Sequence, residues 1–380
     1  MRTWRLSLTA AVAVMAAFLV PVSARAHAVT LPKVTVVASG LNNPRGLAFG
    51  PGGALYVAEG GTGGTTSTKG QCTQVIPPIG PYTGGFTASI SKISRHGDRT
   101  VVASGLPSDQ TAPPRNFESG VANVAFGPGG KLFALISGAG CSHGHKATPN
   151  EIVRVHRDGS ITRVANLSAF LKAHPVKNPD TGDFEPDGTW YSFVTAGRDF
   201  YAVEPNHQEL DKITGDGHVS RVIDFSRFFP GNTDWRGPTA MVSRGGSLYI
   251  GTLTEFPVKV GAAEVFKVNP RTGRFSVFAS GLTTVLGLAF GEHGALYVLE
   301  MSVKNGGPAP ATGEVVRIKG SHRTLIASGL NFPTGMAFGP DGNLYVSVNG
   351  LGAPPGAGQV VRIAVSTDHQ GRWRANSEPG

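Results

Sequence analysis

Three stretches decide the reading of this 380-residue chain: GLAFGPGGALYVAE at Gly46–Glu59, GLAFGEHGALYVLE at Gly287–Glu300 and GMAFGPDGNLYVSV at Gly335–Val348. Each pairs a short run of small and apolar residues with a Gly-rich turn and an LYV-like run. Aligned on the aromatic of that second run, six copies appear, at Tyr56, Phe133, Tyr201, Tyr249, Tyr297 and Tyr345. The gaps between them are 77, 68, 48, 48 and 48 residues, so the first two units are the same repeat with 29 and 20 residues added. A fixed period of this length, with strand-like patterning, predicts an all-β, six-bladed β-propeller with one blade per copy.

Four strand signals fall in each copy. The inner strand is GLAF, VANVAF, SFVTA, TAMVS, GLAF or GMAF, whose small residues suit a crowded channel wall. The second is the LYV-like run. The third (SISKI, EIVRV, ELDKI, EVFKV, EVVRI, QVVRI) and the fourth (TVVAS, ITRVA, HVSRVI, FSVFAS, TLIAS) alternate polar with apolar and are rich in β-branched residues. The sixth copy ends near Ile363, after its third strand. Val34–Ala38 (VTVVA) has no partner before it, so it is expected to complete the sixth blade and close the ring, which removes exposed sheet edges. The added residues fall at 60–87, 105–120, 138–150 and 166–189, all in connections that open on one face. That face is expected to be loop-rich, and elaborate loops on a rigid scaffold are where binding concentrates.

Composition agrees with a packed domain: 40% of residues are hydrophobic and 16% charged, with 53 Gly and 27 Pro supplying turns. Arg2 and Arg5 precede an apolar run, Leu6–Val20, which is short for a bilayer span and is followed by Ala24-Arg25-Ala26 and Ala26-His27-Ala28. This reads as a signal peptide over residues 1–26, cut near Ala26 or Ala28, and predicts a secreted protein without a transmembrane anchor. The propeller is then 29–365, and 366–380 (STDHQGRWRANSEPG) reads as a disordered tail. The formal charge of +9, less the three arginines of the leader, becomes +6, scattered without a basic stripe, which argues against nucleic acid. In an exported chain the two cysteines, Cys72 and Cys141, predict one disulfide between neighbouring loops.

NPRGLAFGPGGALYVAEGG (43–61), FEPDGTWYSFV (184–194), YAVEPNHQELDKI (201–213), YIGTLTEFP (249–257) and NFPTGMAFGPDGNLYVSVNG (331–350) resemble the ScyD/ScyE family of secreted six-bladed propellers, whose repeats are NHL-like. The resemblance covers essentially the whole mature chain. It implies the fold and export, not a reaction. Related propellers include calcium-dependent lactonases, strictosidine synthase-like enzymes and antibiotic lyases, so an enzyme is implied only by analogy.

Several residues are candidates for chemistry. Three places after the aromatic stand Glu59, Glu204 and Glu300, in alternate blades. Three carboxylates around one axis suit a hard cation such as Ca²⁺, the one cofactor these residues suggest. The structural alternative is that each accepts hydrogen bonds from neighbouring backbone and fixes blade to blade. Asp183-Phe184-Glu185-Pro186-Asp187-Gly188 begins like a calcium loop, but the twelfth position is Val194. Cys141-Ser142-His143-Gly144-His145 offers soft metal ligands unless Cys141 is in the disulfide. At the channel mouth the sequence places Asn43, Arg45, Glu118, Trp190, Tyr191, Trp235, Arg236 and Thr334, with Asn206 from an adjacent loop, a set suited to a small anionic or sugar-like ligand. His207 with Glu204 or Glu209 is the acid/base pair in reach. The leading expectation is a monomeric binding or interaction scaffold that uses its loop-rich face for a small molecule, glycan or protein. The alternative is a Ca²⁺-dependent lactonase, hydrolase or lyase at the channel mouth, for which Glu59, Asn123, Glu204, Glu300 and Asn349 would hold the ion.

Overall fold

The computed structural model describes residues 33–112, 117–230 and 234–365. The leader, its cleavage site and the tail lie outside the described residues. Within them the chain forms six antiparallel sheets, each built of strands in an inside-to-outside meander. Blade 1 comprises β2 (Pro44–Phe49), β3 (Leu55–Glu59), β4 (Thr83–Ile93) and β5 (Arg99–Gln110), plus a two-residue fifth strand at Glu118–Ser119. Blades 2 to 5 follow in order from Val121–Phe126, Ser192–Ala196, Gly237–Arg244 and Val285–Phe290 as their innermost strands.

Blade 6 closes as the sequence predicts. Its inner three strands are Gly335–Phe338, Leu344–Val348 and Gly358–Ile363, and the outermost is β1 (Val34–Leu41), antiparallel to Gly358–Ile363 with Val34 opposite Ile363. First and last strands thus share one sheet, and neither end of the ring is left as an open edge.

The repeated aromatic explains why blades adhere. Tyr56 meets Phe126 of the next blade, Tyr249 meets Phe290, Tyr297 meets Phe338, and Tyr345 meets Phe49 across the closure, with ring centroids 4.8–5.0 Å apart and nearly perpendicular planes. Edge-to-face pairs of this geometry each add roughly 0.5–1.5 kcal/mol beyond area burial. Near the axis the inner strands come too close for side chains at some positions. A Cβ on Gly46 would lie 2.4 Å from the Asn123 side chain, and one on Gly335 would lie 2.5 Å from the carbonyl oxygen of Arg45. The channel that remains is narrow, about 50 Å³, and every residue lining it is uncharged.

Two expected loops are partly sheet. Thr83–Thr87 and Gly105–Gln110 extend the outer hairpin of blade 1 beyond its standard length. The Gly84-Gly85 pair, inside the expected loop 60–87, serves close packing: a Cβ on Gly84 would lie 2.5 Å from the carbonyl of His143. The 166–189 insertion likewise contains a short helix, Leu167–Ala173, whose N-terminus is capped by Asn166 accepting from the Ala169 amide at 2.9 Å. Among the described residues no helix is long and apolar enough to cross a membrane.

Candidate functional site at the loop-rich face

The inserted loops of blades 1 and 2 are tied by the Cys72–Cys141 disulfide, with Cα atoms 6.3 Å apart. The Thr68 hydroxyl donates to the Cys141 carbonyl and braces the same junction. Cys141 is therefore committed to the disulfide and is not a thiolate ligand, so the Cys141–His145 motif does not form the metal site its residue types suggest.

His143 does something else. It is fully buried, its Nδ1 engaged by Asp109 and its Nε2 lying 3.1 Å from Glu185. Tyr82 donates to the other oxygen of Glu185 at 2.6 Å, and the Ser119 amide donates to Asp109 at 3.0 Å. Burial alone would lower the His143 pKa, but Asp109 and Glu185 outweigh it and hold it well above its ordinary value. One imidazolium between two carboxylates thus stitches together the insertions of blades 1, 2 and 3. Tyr82 and Asp109 belong to no motif; only the folded hairpin brings them here.

The three repeat glutamates do not meet on a cation. Glu59 accepts from Arg99 at 2.8 Å, from Ser91 and from the Asn42 amide. Glu300 accepts from Arg323 and from the Thr283 amide. Glu204 accepts from the Thr189 amide at 2.8 Å and from the His207 amide and ring. Each carboxylate is satisfied by nearby groups: backbone amides donate to all three, as the structural alternative expects, but the arginines on Glu59 and Glu300 come from the same blade, so these two acids brace a blade internally rather than joining it to the next. The Asp183–Asp187 run also fails as a calcium loop, because its acids diverge. Asp183 accepts from Asn206 at 2.9 Å, Glu185 faces Tyr82 and His143, and Asp187 faces Ser142 and Lys172. Among the described residues no three His, Cys, Asp or Glu side chains are grouped to hold a metal ion. Of the two asparagines expected beside such an ion, Asn123 lines the channel and Asn349 donates to the Ala357 carbonyl.

The mouth set separates into two groups. Arg45 donates to the Tyr191 hydroxyl at 3.3 Å and to the Glu118 carbonyl. Asn43, held at φ +48°, donates to the Gly61 carbonyl at 2.9 Å. Thr334 donates to the Pro44 carbonyl at 2.6 Å. Beside them Trp235, Leu253, Leu286 and Met301 form an apolar cluster, against which Tyr191 and Leu351 pack. Tyr191 and Leu286 also line the channel, which locates the cluster at its loop-side end. The mouth is therefore polar on the side of Arg45 and Glu118 and apolar on the side of Trp235.

Two buried polar atoms at this mouth have no hydrogen-bond partner: Glu118 Oε2 and Trp235 Nε1. Burial pushes the Glu118 pKa up, and Arg45 draws it partly back. The second group belongs elsewhere. Trp190 is fully buried in the core, donating to Asp211 at 3.2 Å. Arg236 pairs with Asp234 through Nη2 at 2.7 Å and lies over the Phe229 ring, its buried Nε without a hydrogen-bond partner. Asn206 is held by Asp183. His207 and Glu204 do pair, at 3.1 Å, but both are buried. Burial would lower the His207 pKa; Glu204 raises it above its ordinary value. Glu209 is occupied by Arg221.

No protein-family model matches the chain, and no curated protein sequence matches it. Solved structures do. The soluble aldose sugar dehydrogenase of Escherichia coli in its apo form is similar with a TM-score of 0.52 at 14% identity, over 87% of this chain and 99% of that one. A putative oxidoreductase (glucose dehydrogenase) of Thermus thermophilus gives 0.51 at 17%, over 88% and 100%. The PQQ-bound aldose sugar dehydrogenase of Streptomyces coelicolor gives 0.50 at 15%, over 89% and 100%. At such identities the likeness is one of fold.

Proposed function

We propose that this chain is an exported propeller of the ScyD/ScyE kind that binds a small molecule at the loop-side mouth of its channel. The observation that carries the reading is two unpartnered buried atoms: Glu118 Oε2, on the residue whose carbonyl Arg45 engages, and Trp235 Nε1, in the apolar cluster against which Tyr191, the other partner of Arg45, packs. Leaving a buried acceptor or donor unmade costs about 1–3 kcal/mol each, which a ligand supplying the missing partners would recover. Arg45 and Glu118 favour a ligand with an acidic or hydroxyl-bearing end, and the Trp235 cluster favours an apolar remainder. Export is compatible with the disulfide and with the membrane-free described region.

A calcium-dependent hydrolase draws no support from these residues, because Glu59, Glu204 and Glu300 are already satisfied by nearby groups. The test is calorimetric titration of the mature protein with a panel of hydroxy acids, lactones and monosaccharides, repeated on Arg45→Met and Glu118→Gln. A ligand that binds the parent and loses at least about tenfold in both variants supports the mouth. Equal affinity in parent and variants would remove it.

A further inference from the structure

On the opposite face short turns join the strands, and between blades 1 and 2 they leave a groove of about 840 Å³. Blade 2 supplies Lys131 from its first turn, Arg154 from its third strand, and Arg157 from its last turn. Blade 1 supplies Pro51 and Tyr56. The wall stays open because the blade 2 turn uses glycine at φ +71° and +67°; a Cβ on Gly130 would already lie 3.0 Å from the Pro51 ring.

The charge of this groove is unbalanced. Among the described residues no carboxylate pairs with Lys131, Arg154 or Arg157. The groove's acid, Asp158, is turned into its own loop, accepting from the Ser160 hydroxyl at 2.7 Å and amide at 3.1 Å. The corresponding groove between blades 6 and 1 is different. There Asp341 holds Arg362 at 2.9 Å, and Arg95 donates to the Gly52 carbonyl at 2.9 Å. The floor of the blade 1–2 groove, Tyr56 against Phe126, is an edge-to-face pair at 5.0 Å, with the Lys92 ammonium 6.0 Å from the Tyr56 ring centre. Rings so engaged offer no open face for a stacked nucleobase, which is what single-stranded nucleic acid needs.

We propose that this groove binds an acidic oligosaccharide, its carboxylate or sulfate groups paired with Lys131, Arg154 and Arg157 and its hydroxyls facing the polar turn at Ser160. This site does not depend on the mouth. Its size lies in the range of small-ligand clefts, and its openness at the rim suits a chain that enters and leaves.

The experiment is calorimetric titration of the mature protein with an octagalacturonate, a sulfated chondroitin oligosaccharide and neutral malto-octaose. Binding of either acidic oligomer, weakening as salt is added, supports the proposal, and the one that binds identifies the anionic group. Lys131→Gln with Arg157→Gln changes two exposed turn residues and is expected to cost about tenfold in affinity, while Lys146→Gln on the loop-rich face leaves it unchanged. The proposal is overturned if neither acidic oligomer binds, if the neutral one binds as well, or if the double variant binds like the parent.

Discussion

Replacing Asp183 by Asn should stabilise the protein at pH 8 and leave it unchanged at pH 4. Burial raises the Asp183 pKa, and Glu185 and Asp180 add to it, so that it stands at about 7 against an ordinary 3.8. Its Oδ1 has no partner, while Asn206 donates to Oδ2 at 2.9 Å. The folded state therefore prefers the protonated acid. Between about pH 3.8 and pH 7 the unfolded chain gives up a proton that the folded chain keeps, so stability falls as pH rises through that window and is flat on either side of it. At about 1.4 kcal/mol per pH unit the ceiling is ~4 kcal/mol; partial solvent access and local relaxation reduce the expected gain to about 1–3 kcal/mol. Asn keeps an acceptor for Asn206 and carries no charge, so it removes this loss. Melting temperatures of parent and variant, measured by differential scanning calorimetry from pH 4 to pH 8, should diverge by on the order of 3 °C at the alkaline end. Asp211, also raised to about 7 by burial, titrates in both proteins and cancels from the difference. A gap independent of pH, or a variant destabilised at every pH, would refute the reasoning.

Two further outcomes are expected. Cys72→Ser with Cys141→Ser opens a crosslink spanning 69 residues and should cost about 2–4 kcal/mol; reductant should lower the melting temperature of the parent by a similar amount and leave the variant where it is. Arg99→Met strands the Glu59 carboxylate, which is fully buried, and should cost about 3 kcal/mol in denaturant unfolding, with Glu59→Gln restoring most of the loss in the double variant.

The ring was legible because its signal is repeated. A 48-residue period recurs three times, and the unpaired VTVVAS segment could be assigned by counting strands. The disulfide followed from two cysteines in neighbouring loops. What stayed hidden depends on partners distant in the chain. Nothing in the stretch around Trp190 says that its indole turns inward to Asp211 rather than outward to a ligand. TGGFT falls within the expected loop 60–87, yet here it is strand and admits a neighbouring backbone. The buried cluster around His143 is beyond local reading altogether: Asp109 lies 34 residues before His143, and Tyr82 lies 103 before Glu185.

The repeat glutamates show why position alone did not settle their role. Alternate-blade acids are consistent with an axial cation and with carboxylates that bond neighbouring backbone and hold blade to blade. For Glu59 and Glu300 the deciding residues are arginines in the fourth strands, whereas Glu204 is held by the Thr189 amide and by His207. Arg99 reaches Glu59 and Arg323 reaches Glu300, while Arg163 and Arg221 do the same for Glu151 and Glu209, which open the third strands of blades 2 and 3. Four blades thus use one device, a buried carboxylate neutralised by its own outer strand. A buried acid without such partners would be costly, and one already engaged has little left to offer an ion on the axis. The charge that the repeat pattern aims at the channel is therefore spent inside the blades. The channel wall is left neutral, and the polar side chains nearest its loop-side end, Arg45 and Tyr191, bond each other.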